Sequence, residues 1–150
     1  MIQRSILFVT AALLAGCAAQ QGYYGPNPQA QADQATANLR NIVLEPLRRF
    51  QREQPTDCNS QNLKLAVLSA REVESVADQR SETLVEYNQD SADLDLEIAD
   101  VALSAGCLDT AENMYRHVIE RYIGFVYAAY RQRAQIGIED VRTKRASKVQ

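Results

Sequence analysis

Three features of the sequence predict an all-α fold, a small helical bundle or stacked helical hairpins behind a disordered N-terminal tether. From Leu63 to Ala105 there is neither glycine nor proline, and apolar residues keep one heptad register throughout. On either side, shorter stretches repeat apolar residues at helical spacing. Nowhere does the chain alternate apolar and polar residues or carry a hairpin turn between two such runs. A chain of 150 residues suits one domain with a single core.

The chain begins with Arg4 as its only early charge, an apolar run from Ile6 to Ala15, and then Leu14-Ala15-Gly16-Cys17. That run is too short to span a bilayer, and its layout is that of an export signal. Leu-Ala-Gly-Cys resembles the lipobox of bacterial lipoproteins. The resemblance implies residues 1–16 as a cleaved signal peptide and Cys17 as the new N-terminus, with diacylglycerol on its sulfur and a further acyl chain, such as palmitate, on its amine. Two or more chains anchor stably where one does not. Ala18-Ala19, in place of an aspartate, implies by the same resemblance the outer membrane, with the protein facing the periplasm. Residues 17–32 then read as a Gln, Gly and Pro-rich tether, a mean reach of roughly 20 Å, with Tyr23 and Tyr24 near the lipid.

The helical domain is expected over 33–143. Its first helix shows a stripe of Leu39, Ile42, Val43, Leu47 and Phe50, with Pro46 predicting a kink or restart. Gln54-Pro55-Thr56-Asp57 ends it, and Asp57 or Ser60 is placed to cap the next helix. In the heptad segment one seam holds Leu63, Ala70, Ala77, Leu84, Ser91, Ile98 and Ala105. The other holds Ala66, Val73, Arg80, Tyr87, Leu94 and Val101. A single coiled-coil rod of roughly 65 Å satisfies this pattern. So does an antiparallel hairpin that turns near Asp78–Ser81 or Asn88–Ser91.

Cys58 and Cys107 flank that segment, and in an exported protein an even pair reads first as a disulfide. An intrachain bridge needs the two Cα atoms within about 7 Å, which a rod forbids. The hairpin is therefore favoured, and bridges between chains would restore the rod. Zinc is a poor rival, because His117 alone cannot complete a four-ligand thiolate site.

Gly106 reads as a helix C-cap, and Asp109 with Glu112 as a capping box. Ala111, Met114, Tyr115, Val118, Ile119 and Tyr122 trace the next helix, which Gly124 breaks. A last helix from about Phe125 is expected to bury Val126, Tyr130, Ala134, Gly137 and Val141. A basic tail, 144–150, closes the chain. Ala111, Tyr115 and Val118 resemble packing positions of a tetratricopeptide repeat near residues 107–141, although that repeat's Trp, Leu-Gly and closing Pro are missing. The resemblance implies a scaffold for another protein.

The net charge of −3 gives no case for nucleic-acid binding. Acids dominate from Glu72 to Glu112, with Arg80 as the only base, and bases dominate beyond. Asp90, Asp93, Asp95, Glu97 and Asp100 lack the alternation and turn glycine of a calcium loop and read as a solvated face. His117, the only imidazole, sits beside the apolar stripe of its helix without an evident catalytic partner. Tyr122, Tyr127, Tyr130, Arg131 and Arg133 combine the residue types enriched at protein interfaces and form a candidate partner surface. These readings converge on a lipid-anchored helical adaptor or assembly protein of the envelope, with an envelope protein as partner. They assign no catalytic residue, no metal and no cofactor. A coiled-coil spacer lipoprotein is the alternative.

Overall fold

The structure, a computed structural model, describes residues 28–79 and 84–148; Cys17, Tyr23 and Tyr24 lie outside the described residues. Five α-helices run in chain order: α1 Pro28–Glu53, α2 Gln61–Gln79, α3 Leu84–Ala105, α4 Leu108–Arg121 and α5 Ala128–Ser147. A 3-10 turn, Phe125–Tyr127, precedes α5, and no strand occurs among the described residues.

α3 is the central helix. It packs against each of the other four, with α1 and α2 paired on one side and α4 and α5 on the other. Its sequence explains the position, because Ala92, Leu94, Leu96, Ile98, Ala99 and Ala102 give it a buried face broad enough to meet neighbours on both sides. Small residues set the spacing. Ala66 and Ala70 of α2, Ala111 of α4 and Ala134 of α5 are all buried, which lets neighbouring backbones approach closely.

The described part of the heptad seam is seated in this core, with Leu63, Ala66, Ala70, Val73, Ser91, Leu94 and Ile98 buried; Arg80 and the side chains of Ala77, Leu84 and Tyr87 lie outside the described residues. It serves a hairpin. α2 and α3 pack on each other, and Cys58 and Cys107 have their Cα atoms 5.1 Å apart with the sulfurs at disulfide distance. The continuous rod is thereby excluded within this chain.

Local stops come from named residues. Ser60 Oγ accepts from the Asn62 backbone N–H at 3.2 Å and caps α2, while Asp57 accepts from the Asn59 N–H at 3.0 Å in the preceding turn. Gly106 takes φ +80°, and the Cys107 N–H returns to the Ala102 carbonyl at 2.8 Å, so α3 ends in a left-handed cap that favours glycine. Gly137 is required for a different reason. The Tyr115 ring lies against its Cα where any Cβ would overlap it, and the Tyr115 hydroxyl donates to Asp100 at 2.6 Å.

Several expectations need correction. α1 begins at Pro28, inside the stretch read as tether, and runs through Pro46 without a break; Ile42 is exposed and Leu44 takes its place in the core. Asp109 and Glu112 do not form a capping box. The N-cap of α4 is Cys107, without a side-chain cap, and both acids pair with Arg145 of α5. α5 extends to Ser147, so 144–147 is helix and not tail, and Lys144 donates to the Leu103 carbonyl at 2.9 Å. Val126 is exposed in the 3-10 turn.

These connections give the bundle two distinct ends. The α1–α2 and α3–α4 links meet at Cys58 and Cys107, and the end of α5 joins them through Arg145. The opposite end carries the start of α1 and the α4–α5 link from Tyr122 to Tyr127.

Candidate functional site

A polar cluster is built into the core from three helices. Glu74 comes from α2, Asp95 from α3, His117 from α4, and Tyr122 is the residue that caps the end of α4. His117 Nε2 lies 2.8 Å from Glu74 Oε1 and 3.7 Å from Asp95 Oδ2. The Tyr122 hydroxyl donates to Asp95 Oδ2 at 3.3 Å and to Glu74 Oε1 at 3.4 Å. Arg71 donates to Glu74 Oε1 at 2.8 Å and faces Asp95 Oδ1 at 3.6 Å, while Arg121 lies 3.7 Å from Glu74 Oε2.

Burial forces an uneven sharing of charge. Asp95 is 0% exposed, and burial with the Glu74 carboxylate beside it pushes its carboxyl up to about 8. Burial also works against a charge on Glu74. Hydrogen bonds from His117 and Asp95 and the Arg71 guanidinium outweigh it and leave Glu74 well below the ordinary carboxylate range. One proton on Asp95 thus bridges two acids, and Arg71 faces both. Burial and the same acids push the Tyr122 hydroxyl up, so it remains a donor.

The carboxylate oxygens and the imidazole nitrogen of Glu74, Asp95 and His117 come within 4.8 Å of one another, and these are donor types that hold transition metals. Arg71 argues against an ion there. Its guanidinium already occupies the Glu74 oxygen nearest His117, and with Asp95 holding a proton the single charge on Glu74 already has both Arg71 and Arg121 beside it. Substrate access is also poor, since Glu74 and Asp95 are buried and His117 shows only 26% of its side chain. Arg71 is the edge of the cluster that reaches open space. It lines a groove of about 500 Å³ between α2 and α4, with Leu63, Val67, Leu68, Asn113 and Met114.

Comparison with family models, with curated proteins and with solved structures gives no match. The site must speak through its own geometry.

The structure divides the candidate partner surface. Tyr122 is buried in the polar cluster, and Tyr127 and Tyr130 are half-buried against the core, with ring centroids 6.3 Å apart. Arg133 is exposed and pairs with Asp100 at 2.5 Å. Arg131 turns back onto the chain, donating to the Tyr122 carbonyl at 2.6 Å and the Gly124 carbonyl at 2.7 Å. The exposed groups are the residues between: Phe125 at 92%, Ile123 at 77% and Val126 at 53%. The acidic run is likewise not one solvated face. Asp95 is interior, Asp90 pairs with Arg40 at 3.0 Å, and Asp100 is held by Tyr115 and Arg133.

Sequence reasoning passed over Glu74 as a site residue and read Asp95 as part of a solvated face, whereas both are buried. A signal was present, since each comes directly after a seam residue, Val73 and Leu94, in the heptad position that a third helix covers.

Proposed function

We propose that this chain is a lipid-anchored helical adaptor or assembly protein of the bacterial envelope, held at the outer membrane through Cys17 and facing the periplasm. The observation that carries the reading is Leu14-Ala15-Gly16-Cys17 at the end of a short apolar run. One structural fact supports it. Cys58 and Cys107 stand at disulfide distance, which fits an oxidising compartment.

A non-catalytic role is the better account of the polar cluster. Its acids are buried, its cations are spent on them, and general acid or base work needs a substrate within hydrogen-bond reach. Antiparallel packing of α2 and α3 favours the adaptor over the coiled-coil spacer, which needs length.

Cys17→Ser tests the anchor. The variant is expected to lose incorporation of labelled palmitate and to move from the membrane to the soluble fraction while keeping its helical circular dichroism. A folded Cys17→Ser protein that stays in the membrane fraction refutes the reading.

A further inference from the structure

The α4–α5 link is an unusual piece of surface. From Tyr122 to Tyr130 the chain carries no charge, and Arg121 and Arg131 bracket it. Ile123, Phe125 and Val126 stand in solvent, with Gly124 between the first two. Their exposure is not the result of a loose loop. The Arg131 guanidinium ties down both the Tyr122 and Gly124 carbonyls, and the Tyr127 N–H closes on the Gly124 carbonyl at 3.1 Å.

This bonding suits a lipid surface. Backbone carbonyls without partners are costly to bring into an apolar phase, and here the carbonyls of Tyr122 and Gly124 are satisfied internally while the apolar side chains project. Tyr127 and Tyr130 lie behind them, half-buried, with the apolar body and polar tip that interfacial aromatics use.

Position in the fold selects the same occupant. The link lies at the end of the bundle where α1 starts, opposite Cys58 and Cys107. Residues 17–27 span at most about 40 Å when fully extended, so an anchor at Cys17 keeps this end within reach of the bilayer.

We infer that Ile123, Phe125 and Val126 form a second, shallow membrane contact that seats the bundle on the lipid surface with the Cys58–Cys107 end turned away. The inference rests on the lipid-anchor reading. Its chemistry is that of an interfacial apolar loop, with the acyl-headgroup boundary as partner.

The chain has no tryptophan, so Phe125→Trp installs a single reporter and Thr56→Trp, in the turn at the far end, a matched control. Each full-length lipidated protein is placed in vesicles of phosphatidylethanolamine and phosphatidylglycerol with brominated acyl chains. The expected result is at least about a twofold loss of emission with a blue shift for Phe125→Trp, and no change for Thr56→Trp. Equal, unquenched emission from both in vesicle-bound protein overturns the contact and leaves the anchor standing. A blue shift of Phe125→Trp that grows with protein concentration without vesicles also overturns it, in favour of self-association. Should Cys17 carry no lipid, the same vesicles added to the unmodified chain still decide: quenching of Phe125→Trp upholds the contact, and none ends it.

Discussion

Asp95 has no contact with water and faces a second carboxylate, yet it sits on the helix that every other helix touches. Its cost and benefit depend on pH. Its folded value is raised from 3.8 to about 8, so the folded state holds a proton that the unfolded chain releases across that interval. The contribution of position 95 is therefore fully favourable below about pH 4 and is lost as pH rises toward 8, with a slope on the order of 1 kcal/mol per pH unit. Glu74 behaves oppositely. Its folded value is lowered from 4.5 to about 2, so its contribution is present above pH 4.5 and lost on further acidification. Asp95→Asn keeps the size of the side chain and removes the titration. Urea unfolding at pH 5 and pH 8 is expected to show the wild type losing stability across this interval and the variant losing distinctly less. Parallel losses in both proteins contradict the shared proton. None of this was legible from composition, because an acid in an acid-rich run looks solvated until a third helix is known to cover it.

At the scale of elements, periodicity carried most of the fold. The described seam residues of α2 and α3 and the α4 stripe are buried or packed against the core, since packing against a core is what the 3.5 to 3.6 repeat encodes. Boundaries were harder to read. The Gln and Ala-rich stretch after Pro28 resembles a tether by composition, but both residues favour helix, and proline suits a first turn where its missing N–H leaves nothing unpaired. Pro46 is tolerated because Val43, Leu44, Leu47 and Phe50 fix α1 on the core around it, while Ile42, whose carbonyl loses its donor, faces solvent. The resemblance to a tetratricopeptide repeat rested on three residues of α4 that a plain antiparallel pair with α5 equally requires, Tyr115 packing on Gly137 among them. Cys58 and Cys107 close a separation of 49 residues between the two links at one end of the bundle. Cys58 is the exposed partner, so Cys58→Ser removes the bridge with little change in packing. The variant is expected to lose about 2–4 kcal/mol of stability, read as a fall in Tm on the order of 10 °C. Reaction of both thiols with a thiol-specific reagent in the unreduced wild-type protein would show that they are not joined.

Across the whole molecule, the charge asymmetry of the sequence becomes internal pairing. Basic residues of the C-terminal helix return to the acidic middle of the chain, Arg133 to Asp100 and Arg145 to Asp109 and Glu112, and Arg40 of α1 reaches Asp90. Hydrogen bonds from Arg116 and Arg145 hold the Glu112 carboxyl below its ordinary value. These pairs are largely exposed and add little energy singly, yet each joins residues 33 to 50 apart in sequence on different helices, so they favour one topology over its alternatives. An open rod would separate the groups that pair here and leave the apolar faces of α4 and α5 uncovered. The two architectures differ in a quantity measurable without any partner. A compact chain of this size has a radius of gyration of about 14 Å. A continuous helix from Leu63 to Ala105, roughly 65 Å long, gives about 19 Å before any other helix is attached. Small-angle scattering from the soluble Cys17→Ser protein is therefore expected to give about 14–17 Å, independent of concentration and unchanged by moderate salt, since the apolar core and not the ion pairs sets the shape. A value above about 20 Å in a monomer would return the heptads to a rod and take the two-ended bundle, with its lipid-facing link, down with it.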